Sequence, residues 1–493
     1  MPGRLSDQNL AGLPASIAVP GYDRASVSPG IVHLGVGAFH RAHQAAYVDD
    51  CLAAGEMDWG IVGASLQSPG TFDALDPQDG LYTLAERGSE GEALRVVGSI
   101  KYLLVAPRSQ AALLEMLVDP RIRIVTLTIT EKAYLRNAAG DLDASHPGIT
   151  ADLADPKNPQ TAHGFLVEAL ARRRAANTPP FTILCCDNLP ANGATLRRLL
   201  MQFAKLRDPA LARHVADEVA CPSSMVDRIV PATTDADRAR ISRQLGVDDA
   251  WPVMTEPFRQ WVIEDNFPTG RPSWEKFGVT MVRDVLPFEE MKLRLLNGSH
   301  SSIAYLGLLS GHETVAAAFA DPAIRKFVDA LWAEAIPTLP TDAGLDPQRY
   351  IGDLAERFAN TALAHKTAQI ANDGSQKLPQ RIIGSAIDRL EAGASANHLM
   401  FVVAAWIGAT EARGGTLPAG HFTDPLDRQL SALAASRLPA AETATAIFDL
   451  AGFAKDSRHR ERLIGLVAAD LEVLRQTGLA SALSTLASEE FQN

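Results

Sequence analysis

Side chains that could carry out acid–base chemistry are concentrated in residues 288–300. If this stretch is a helix that turns about 100° per residue, Glu289 and His300 fall within about 80° of Lys292. Asn297 falls within about 140° of the same lysine. One helix face would then carry four polar side chains, and buried polar groups are costly unless they have partners. The spacing predicts the wall of a polar pocket. The alternative is a solvated helix face with an ordinary Glu–Lys pair three residues apart.

A glycine turn between an apolar run and a helical segment is a second group that could bind a ligand. Residues 31–34 are apolar apart from one histidine, Gly35 and Gly37 follow, and residues 42–54 have helical character. In this context paired glycines let the backbone approach the pyrophosphate of a dinucleotide. The third position of the usual Gly-x-Gly-x-x-Gly motif is His40, so a tight turn without a ligand is the alternative. The residues predicted to bind the cofactor here are Gly35, Gly37, Ala38 and Phe39.

Polar side chains follow two further apolar runs that read as strands. Residues 121–130 are rich in β-branched side chains, and residues 180–186 form another buried run that ends before Asp187 and Asn188. The carboxyl ends of parallel strands carry the ligand crevice of such sheets. The alternative for Asp187 and Asn188 is a helix N-cap. The residues predicted at the crevice are Thr130, Glu131 and Asn188.

The choice between NAD and NADP depends on the end of the strand expected over residues 59–65. An acidic residue there would hydrogen-bond the 2′-hydroxyl of NAD, and an arginine would suit NADP. Residues 65–69 read Ser-Leu-Gln-Ser-Pro and contain neither. The lack of a positive charge favours NAD and leaves NADP open.

Composition excludes several classes of function. The 493 residues carry a formal net charge of -12, which argues against nucleic acid or an anionic membrane as the main partner. No run reaches the 18 apolar residues of a membrane span, and the first residues lack an apolar signal core. The four cysteines lack the spacing of a disulfide framework or a structural zinc site. We therefore expect a cytoplasmic protein without a bound metal.

The pattern of elements predicts two domains. Strands and helices alternate over about residues 30–200, which indicates an α/β fold with a Rossmann-type parallel sheet. From Pro287 onward, helical segments rich in Ala and Leu follow almost without strand signals. We expect an NAD-binding domain over residues 1–285 and a mainly α-helical substrate-binding and catalytic domain over residues 286–493. The helix with Lys292 would open the second domain and turn its polar face toward a cleft.

Three segments inside the first domain have weaker patterns. Residues 94–104 alternate weakly and predict one short strand. Residues 135–160 are rich in Asp, Asn, Pro and Gly and predict a loop. Residues 163–176 predict an amphipathic helix.

The run Lys-Leu-Arg-Leu-Leu-Asn-Gly-Ser-His at residues 292–300 resembles the signature of the mannitol dehydrogenase family, the polyol-specific long-chain dehydrogenases and reductases. The resemblance covers most of the chain and includes residues 31–43, 128–132, 186–188, 225–231 and 256–265. It implies a metal-independent, NAD(P)-dependent interconversion of a secondary alcohol and a ketone on an open-chain sugar derivative.

The resemblance also implies roles for individual residues. Lys292 would be the general acid and base, and Asn188 and Asn297 would stabilise the developing oxyanion. His300 would bind a substrate hydroxyl. Further residues implied in the site are the accessory acids Glu131 and Glu289 and the pocket residue Asp227. The assignment is chemically consistent, because a lysine whose pKa is depressed by partial burial and a nearby cation can take the hydroxyl proton as hydride leaves.

Residues 372–381 resemble the branch of the family that reduces D-fructuronate to D-mannonate. Lys377 and Arg381 would bind the substrate carboxylate, since the guanidinium fork of arginine suits that group. The alternative is a mannitol 2-dehydrogenase or a related polyol dehydrogenase, with both residues as exposed helix cations. A remote alternative is a non-catalytic dinucleotide-binding regulator. No assembly motif stands out, so we expect a monomer that acts on a small sugar acid or polyol.

Overall fold

The chain divides into two compact units, Met1–Leu286 and Pro287–Asn493. The structure, a computed structural model, describes residues 3–137, 139–341, 344–418 and 420–489. All strands within these residues belong to the first unit, and the second unit is helical.

A five-stranded parallel sheet forms the centre of the first unit. The strands of the described residues are β1 (Pro29–Leu34), β2 (Gly60–Ser65), β3 (Tyr82–Gly88), β4 (Gly91–Val97), β5 (Ile100–Val105), β6 (Ile124–Leu127), β7 (Thr182–Cys185), β8 (Ser224–Asp227), β9 (Val253–Thr255), β10 (Gln260–Glu264) and β11 (Thr280–Val282). The central sheet has the order β5-β2-β1-β6-β7, and every neighbouring pair is parallel. β1, β6 and β7 are buried along their whole length, as expected for strands that are covered on both faces.

The order of the central sheet reverses beside β1. The chain passes from β1 to β2 on one side, and β6 later pairs with β1 on the other side. Residues 35–37 after β1 and residues 128–130 after β6 therefore follow the carboxyl ends of adjacent strands. Ligands of open α/β sheets bind in the crevice at such a reversal.

Successive side chains of β1 enter two different cores, because side chains alternate across a strand. Val32 and Leu34 pack with the helices that carry Leu113 and Phe165. Ile31 packs on the opposite face, in a core that also contains Trp261. The helices of this unit are α1 (Ala38–Ala42), α2 (Gln44–Ala53), α3 (Gly70–Leu75), α4 (Gln110–Val118), α5 (Pro147–Ala154), α6 (Ala162–Ala175), α7 (Asn192–Arg207), α8 (Pro209–Glu218) and α9 (Asp235–Leu245). Two smaller sheets, β11-β10-β8 and β4-β3-β9, complete the unit.

The second unit is built on one extended apolar core. Its helices are α10 (Leu286–Met291), α11 (Gly298–Leu309), α12 (Val315–Ala320), α13 (Pro322–Ala335), α14 (Pro347–Ala359), α15 (Thr367–Ile370), α16 (Gly374–Leu378), α17 (Gly384–Glu391), α18 (Asn397–Ala412), α19 (Asp427–Ser436), α20 (Ala440–Ala451), α21 (Arg460–Thr477) and α22 (Leu479–Glu489). α18 is buried on all sides over residues 398–407, as expected for a helix that is apolar around its whole circumference.

Two π-helical segments interrupt the α-helices of the second unit. One spans Lys292–Asn297 and joins α10 to α11, and the other spans Pro379–Ile383 and joins α16 to α17. The two segments lie against each other. Such segments are rare and occur often at functional sites.

The fold class predicted from the sequence is confirmed, and three local predictions are wrong. Residues 94–104 hold parts of two strands, β4 and β5, because the chain passes from one sheet to another at Gly98 and Ser99. Residues 135–160 contain α5, which begins with Pro147 in its first turn, where a missing N–H costs no hydrogen bond. The strand expected over residues 121–130 ends with β6 at Leu127.

Candidate active site

The turn after β1 places residue 35 in a backbone conformation that glycine adopts far more easily than other residues do. Gly35 has φ +96°, and a Cβ at this position would lie 2.1 Å from the carbonyl oxygen of Thr128. Gly37 has an extended backbone, and a Cβ there would meet only the carbonyl oxygen of Gly35, at 3.8 Å. The protein itself therefore requires glycine at position 35 but not at position 37.

Three donors hold the carbonyl oxygen of Gly35. The Gly37 N–H lies at 2.7 Å, the Thr128 hydroxyl at 2.8 Å and Nε2 of His33 at 3.0 Å. A carbonyl oxygen only accepts hydrogen bonds, so His33 carries its proton on Nε2. Nδ1 of His33 then accepts from the Thr126 hydroxyl at 2.7 Å. The turn is thus fixed by strands β1 and β6 together.

His40, at the third position of the glycine motif, is a core residue. Its ring stacks on the ring of His33 with the centroids 3.3 Å apart. Burial lowers the pKa of His33 to about 3 and holds the pKa of His40 well below its usual value. Both rings are therefore neutral, and their stacking explains the departure from glycine at position 40. The neighbouring predicted cofactor residues open α1, where Ala38 is the first residue and the Phe39 ring stacks on His43 at 5.0 Å.

The carboxylate of Asp187 binds the segment that follows β6. It accepts the N–H of Ile129 at 2.9 Å, the N–H of Thr130 at 3.1 Å and the hydroxyl of Tyr134 at 2.7 Å. The N-cap position of α7 is Ala191, and no side chain caps this helix end. The N-cap alternative for residues 187 and 188 is therefore wrong. Sequence reasoning missed this role, because the hydrogen-bond donors to Asp187 lie more than fifty positions earlier in the chain.

Thr130 occupies a strained backbone conformation. Its φ of 72° and ψ of 150° lie in a region that is almost restricted to glycine, where other residues carry about 1–3 kcal/mol of strain. Such strain persists only where surrounding contacts impose it, and it clusters at functional sites. Here the bond from the Thr130 N–H to Asp187 supplies one of these contacts. Glu131 follows directly, exposed at the start of the 3-10 turn Glu131–Tyr134.

Replacing Asp187 with alanine should release this segment. We expect a loss of stability of about 1–3 kcal/mol, because two N–H groups and a hydroxyl lose their acceptor. If Thr130 contacts a dinucleotide, as the sequence predicts, the KM for that dinucleotide should also rise, since the turn at Thr130 can relax. Thermal unfolding and initial-rate kinetics measure the two effects. Asp143→Ala is the matched control, because Asp143 also accepts a backbone bond, from Ser145, but in an exposed loop. Equal effects of the two substitutions would contradict the role of Asp187.

Two predicted residues of the first unit lie at other strand ends. Asn188 is exposed in the loop between β7 and α7. Asp227 is the last residue of β8, where it is buried and pairs in register with Gln260 of β10.

The helix with Lys292 differs from the regular α-helix that the spacing assumed. Residues 292–297 are π-helical, and the N–H of Gly298 bonds the carbonyl oxygen of Leu293 five residues earlier. In a π-helix, residues five apart are one turn apart. Lys292 and Asn297 therefore come onto the same side of the helix, closer than the angle of about 140° that an α-helix would give. The spacing understated how well these two side chains converge.

The polar face of this helix is buried. The exposed fraction is 7% for Lys292 and 9% for His300, while Glu289 and Asn297 are half-buried. The alternative of a solvated helix face is therefore wrong for Lys292 and His300. Burial of a lysine calls for polar surroundings, which is the property of a pocket wall.

Arg381 reaches this helix from the second π segment. Its Nη1 donates to the Ser301 hydroxyl at 3.1 Å and lies 3.4 Å from the carbonyl oxygen of Asn297. Lys377 points its ammonium at the preceding loop and donates to the carbonyl oxygen of Asn372 at 2.6 Å. The structure thus brings Arg381 to the Lys292 helix, whereas Lys377 donates to the loop that precedes it.

The ring of His300 lies among basic side chains. It is 4.8 Å from the Phe358 ring and 5.5 Å from the His365 ring, between ring centroids. Burial is the main cause that holds the pKa of His300 well below its usual value, and the basic groups around it add to the effect. In decreasing order of effect these groups are His365, Arg357, Arg381 and Lys292.

Sequence reasoning missed Arg357 and His365. The signal for Arg357 was present, because α14 buries Tyr350, Leu354 and Phe358 on one face and Arg357 is a cation on that same buried side. A cation within an apolar stripe is unusual unless it has a partner or a function. His365 had no such signal, since it lies in an irregular segment before α15.

The described residues contain no group of three or more His, Cys, Asp or Glu side chains that could hold a metal ion. The same part of the chain has no helix with the length and hydropathy that a membrane crossing needs. All four cysteines are free thiols.

One unit has a parallel sheet with a glycine turn at its order reversal, and the other is helical with a buried Lys–His face. These features are typical of a two-unit α/β protein of the oxidoreductase type. The chain matches the mannitol dehydrogenase Rossmann domain over residues 29–276 and the mannitol dehydrogenase C-terminal domain over residues 284–475. The protein therefore belongs to the mannitol dehydrogenase family and is a dehydrogenase, as the resemblance in its sequence predicted.

Three relatives cover almost the whole chain. D-mannonate oxidoreductase of Escherichia coli (strain K12) is 42% identical over 95% of this chain and 98% of its own length. Mannitol 2-dehydrogenase of Phaeosphaeria nodorum is 39% identical over 98% of this chain and 86% of its own length. The solved structure of Pseudomonas fluorescens mannitol 2-dehydrogenase, a ternary complex with NAD and D-mannitol, superimposes with a TM-score of 0.87 at 38% identity over 98% of this chain and 99% of that one.

Proposed function

We propose that the protein is an NAD-dependent oxidoreductase that interconverts D-fructuronate and D-mannonate. The observation that carries this proposal is the set of basic side chains around His300, on the buried face that also holds Lys292. A substrate carboxylate would neutralise this charge, whereas a neutral polyol would not. The similarity to D-mannonate oxidoreductase supports the same substrate class.

The residues of the glycine turn fit a dinucleotide. Gly37 is exposed, follows the carboxyl end of β1 and leaves space that no protein atom near it fills. A dinucleotide held there would supply the hydride exchange with the carbon that carries the alcohol or ketone oxygen. We assign the pyrophosphate to the turn formed by Gly35, Gly37, Ala38 and Phe39. Thr130 and Glu131, at the neighbouring strand end, are assigned to the same cofactor.

Lys292 is assigned the proton transfer. In reduction its ammonium donates a proton to the ketone oxygen, and in oxidation its free amine takes the hydroxyl proton. The side-chain amides of Asn188 and Asn297 donate hydrogen bonds to the oxygen as negative charge develops on it. These donors need no counter-charge. They therefore stabilise the alkoxide without changing the protonation state of the lysine.

The remaining assigned residues bind the substrate or assist the proton path. His300 donates or accepts a hydrogen bond at a substrate hydroxyl, depending on its tautomer. Arg381 is assigned to the carboxylate end, and Lys377 is retained as a second cation on that side. Asp227 is assigned to the pocket, and Glu289 and Glu131 to the proton path.

NAD is preferred over NADP in this proposal. Residues 66–69, after β2, carry no arginine or lysine that could bind a 2′-phosphate. The relative from Pseudomonas fluorescens was solved with NAD. A polyol dehydrogenase that interconverts D-mannitol and D-fructose is the second candidate, favoured by the mannitol 2-dehydrogenases among the relatives.

Parallel assays of D-fructuronate and D-fructose with NADH test the choice. We expect kcat/KM to be at least about tenfold higher for D-fructuronate, since a charge-assisted hydrogen bond contributes about 1.5–3 kcal/mol. The same assays with NADPH should give lower values. A higher kcat/KM for D-fructose would assign the protein to the polyol branch. No turnover of either ketone would reject the proposed function.

A further inference from the structure

Two histidine nitrogens in the second unit are buried without a hydrogen-bond partner among the described residues. They are Nε2 of His300 and Nδ1 of His365, on rings that meet edge to face at 5.5 Å. A buried polar atom without a partner costs about 1–3 kcal/mol, so such atoms call for an explanation. Two of them on adjacent rings point to a ligand that supplies the missing bonds.

The charge around the two rings defines the kind of ligand. Besides burial, the positive charge of Arg357, whose exposed fraction is 7%, lowers the pKa of both His300 and His365. The charges of Arg381 and Lys292 also lower the pKa of His300. The four side chains that lower the pKa of His300 most are thus all basic. Such a field favours an anion over a neutral group at the free nitrogens.

We propose that His365 is a specificity-determining residue that, with Nε2 of His300 and with Arg357, binds the carboxylate of a sugar-acid substrate, while Nδ1 of His300 accepts from the substrate hydroxyl. This inference rests on the proposed function, because it names the group that the same site recognises. A carboxylate only accepts hydrogen bonds, so it can take an N–H from each imidazole. The guanidinium of Arg357 contributes its permanent charge to the same subsite.

His365 discriminates better than Arg381, because the guanidinium of Arg381 is partly engaged by the protein. Arg381 donates to the Ser301 hydroxyl and lies within reach of the Asn297 carbonyl oxygen, whatever the substrate. Nδ1 of His365 has no such bond. The backbone of His365 is fixed independently of its ring, since its carbonyl oxygen accepts the N–H of Val315 at 2.9 Å. A substitution at position 365 therefore tests the side chain alone.

The test compares His365→Asp and His365→Asn with the wild type. We expect His365→Asp to lower kcat/KM for D-fructuronate about 10–100-fold more than for D-fructose, because a negative charge replaces a donor to a charged group. His365→Asn should show a smaller loss in the same direction. His312→Asn is the matched control, because His312 lies in the same unit and its ring faces Asp321 at 3.4 Å. It should leave the ratio of the two kcat/KM values unchanged.

Calorimetric titration of the NAD-bound proteins with D-mannonate and D-mannitol measures the affinity of the subsite for each compound without turnover. If the wild type binds D-mannonate and His365→Asp weakens this binding about tenfold or more, the inference holds, even if D-fructuronate is not reduced. In that case the proposed function alone fails. If His365→Asp changes neither the kcat/KM ratio nor the affinity for D-mannonate, the inference is overturned. A wild type that prefers the neutral compound in both assays overturns it as well.

Discussion

Lys292→Ala is expected to lower kcat by about 10²–10⁴-fold, the usual contribution of a positioned general acid or base. Binding of NADH should remain, because the glycine turn that is assigned to the dinucleotide belongs to the other unit and does not contain Lys292. The measurements are steady-state kcat in both directions and titration of NADH by protein fluorescence. A substantial loss of turnover with intact cofactor binding separates the catalytic role from a loss of folding.

A second variant separates the charge of Lys292 from its proton. Lys292→Arg keeps a positive charge, but a guanidinium does not release its proton in proteins. If the lysine transfers a proton, this variant should lose nearly as much activity as Lys292→Ala. If the lysine only supplies charge, Lys292→Arg should keep most of its turnover, and the proposed mechanism would be wrong. Lys326→Ala, at an exposed lysine of α13, is the control for a general effect of lysine removal.

The sequence was sufficient for the fold class, because the signals involved are local. Apolar runs such as those of β1 and β6 and the glycine turn after β1 predict their own elements, and their alternation with helices predicts the parallel sheet. The errors have tertiary causes. β6 ends at Leu127, the N–H of Thr128 still bonds to the Leu34 carbonyl oxygen, and the N–H groups of Ile129 and Thr130 then bond to Asp187. No pattern within residues 121–130 contains that information.

The candidate site was predictable where one helix carries it. Lys292, Asn297 and His300 lie within nine residues, so their spacing was enough to place them on one face. The π-helical segment was not predictable, since no composition signal within residues 292–297 distinguishes it from an ordinary α-helix. It changed the angle between Lys292 and Asn297 but not the conclusion that they share a face.

Residues contributed by distant segments were not predictable. Arg357 and His365 approach His300 from α14 and from the segment before α15, more than fifty residues away in the chain. His40 illustrates the opposite case. The sequence showed only that it replaces the third glycine of the motif, and the structure shows its ring stacked in the core on His33. Spacing identifies candidates, and packing decides which of them face a ligand.

Two substitutions in the glycine turn can separate a glycine that the fold requires from a glycine that the cofactor requires. Gly35→Ala should destabilise the protein whether or not a dinucleotide is present. Its strained dihedral alone costs about 1–3 kcal/mol, and the added Cβ would also overlap the Thr128 carbonyl oxygen. Thermal unfolding of the cofactor-free protein should show this loss. Gly21→Ala is the control, because a Cβ at Gly21 meets no atom within 4 Å.

Gly37→Ala should have the complementary effect. Without a dinucleotide, its stability should stay within about 0.5 kcal/mol of the wild type, as for ordinary surface substitutions, because the added Cβ lies 3.8 Å from its nearest neighbour. Its dissociation constant for NADH should nevertheless rise at least about tenfold, which corresponds to about 1.4 kcal/mol, since the side chain would occupy the space assigned to the pyrophosphate. A destabilised Gly37→Ala protein, or one that binds NADH as well as the wild type, would contradict the assignment. Because nothing in the protein near Gly37 demands glycine, only a ligand at this position can account for a loss that appears in binding alone.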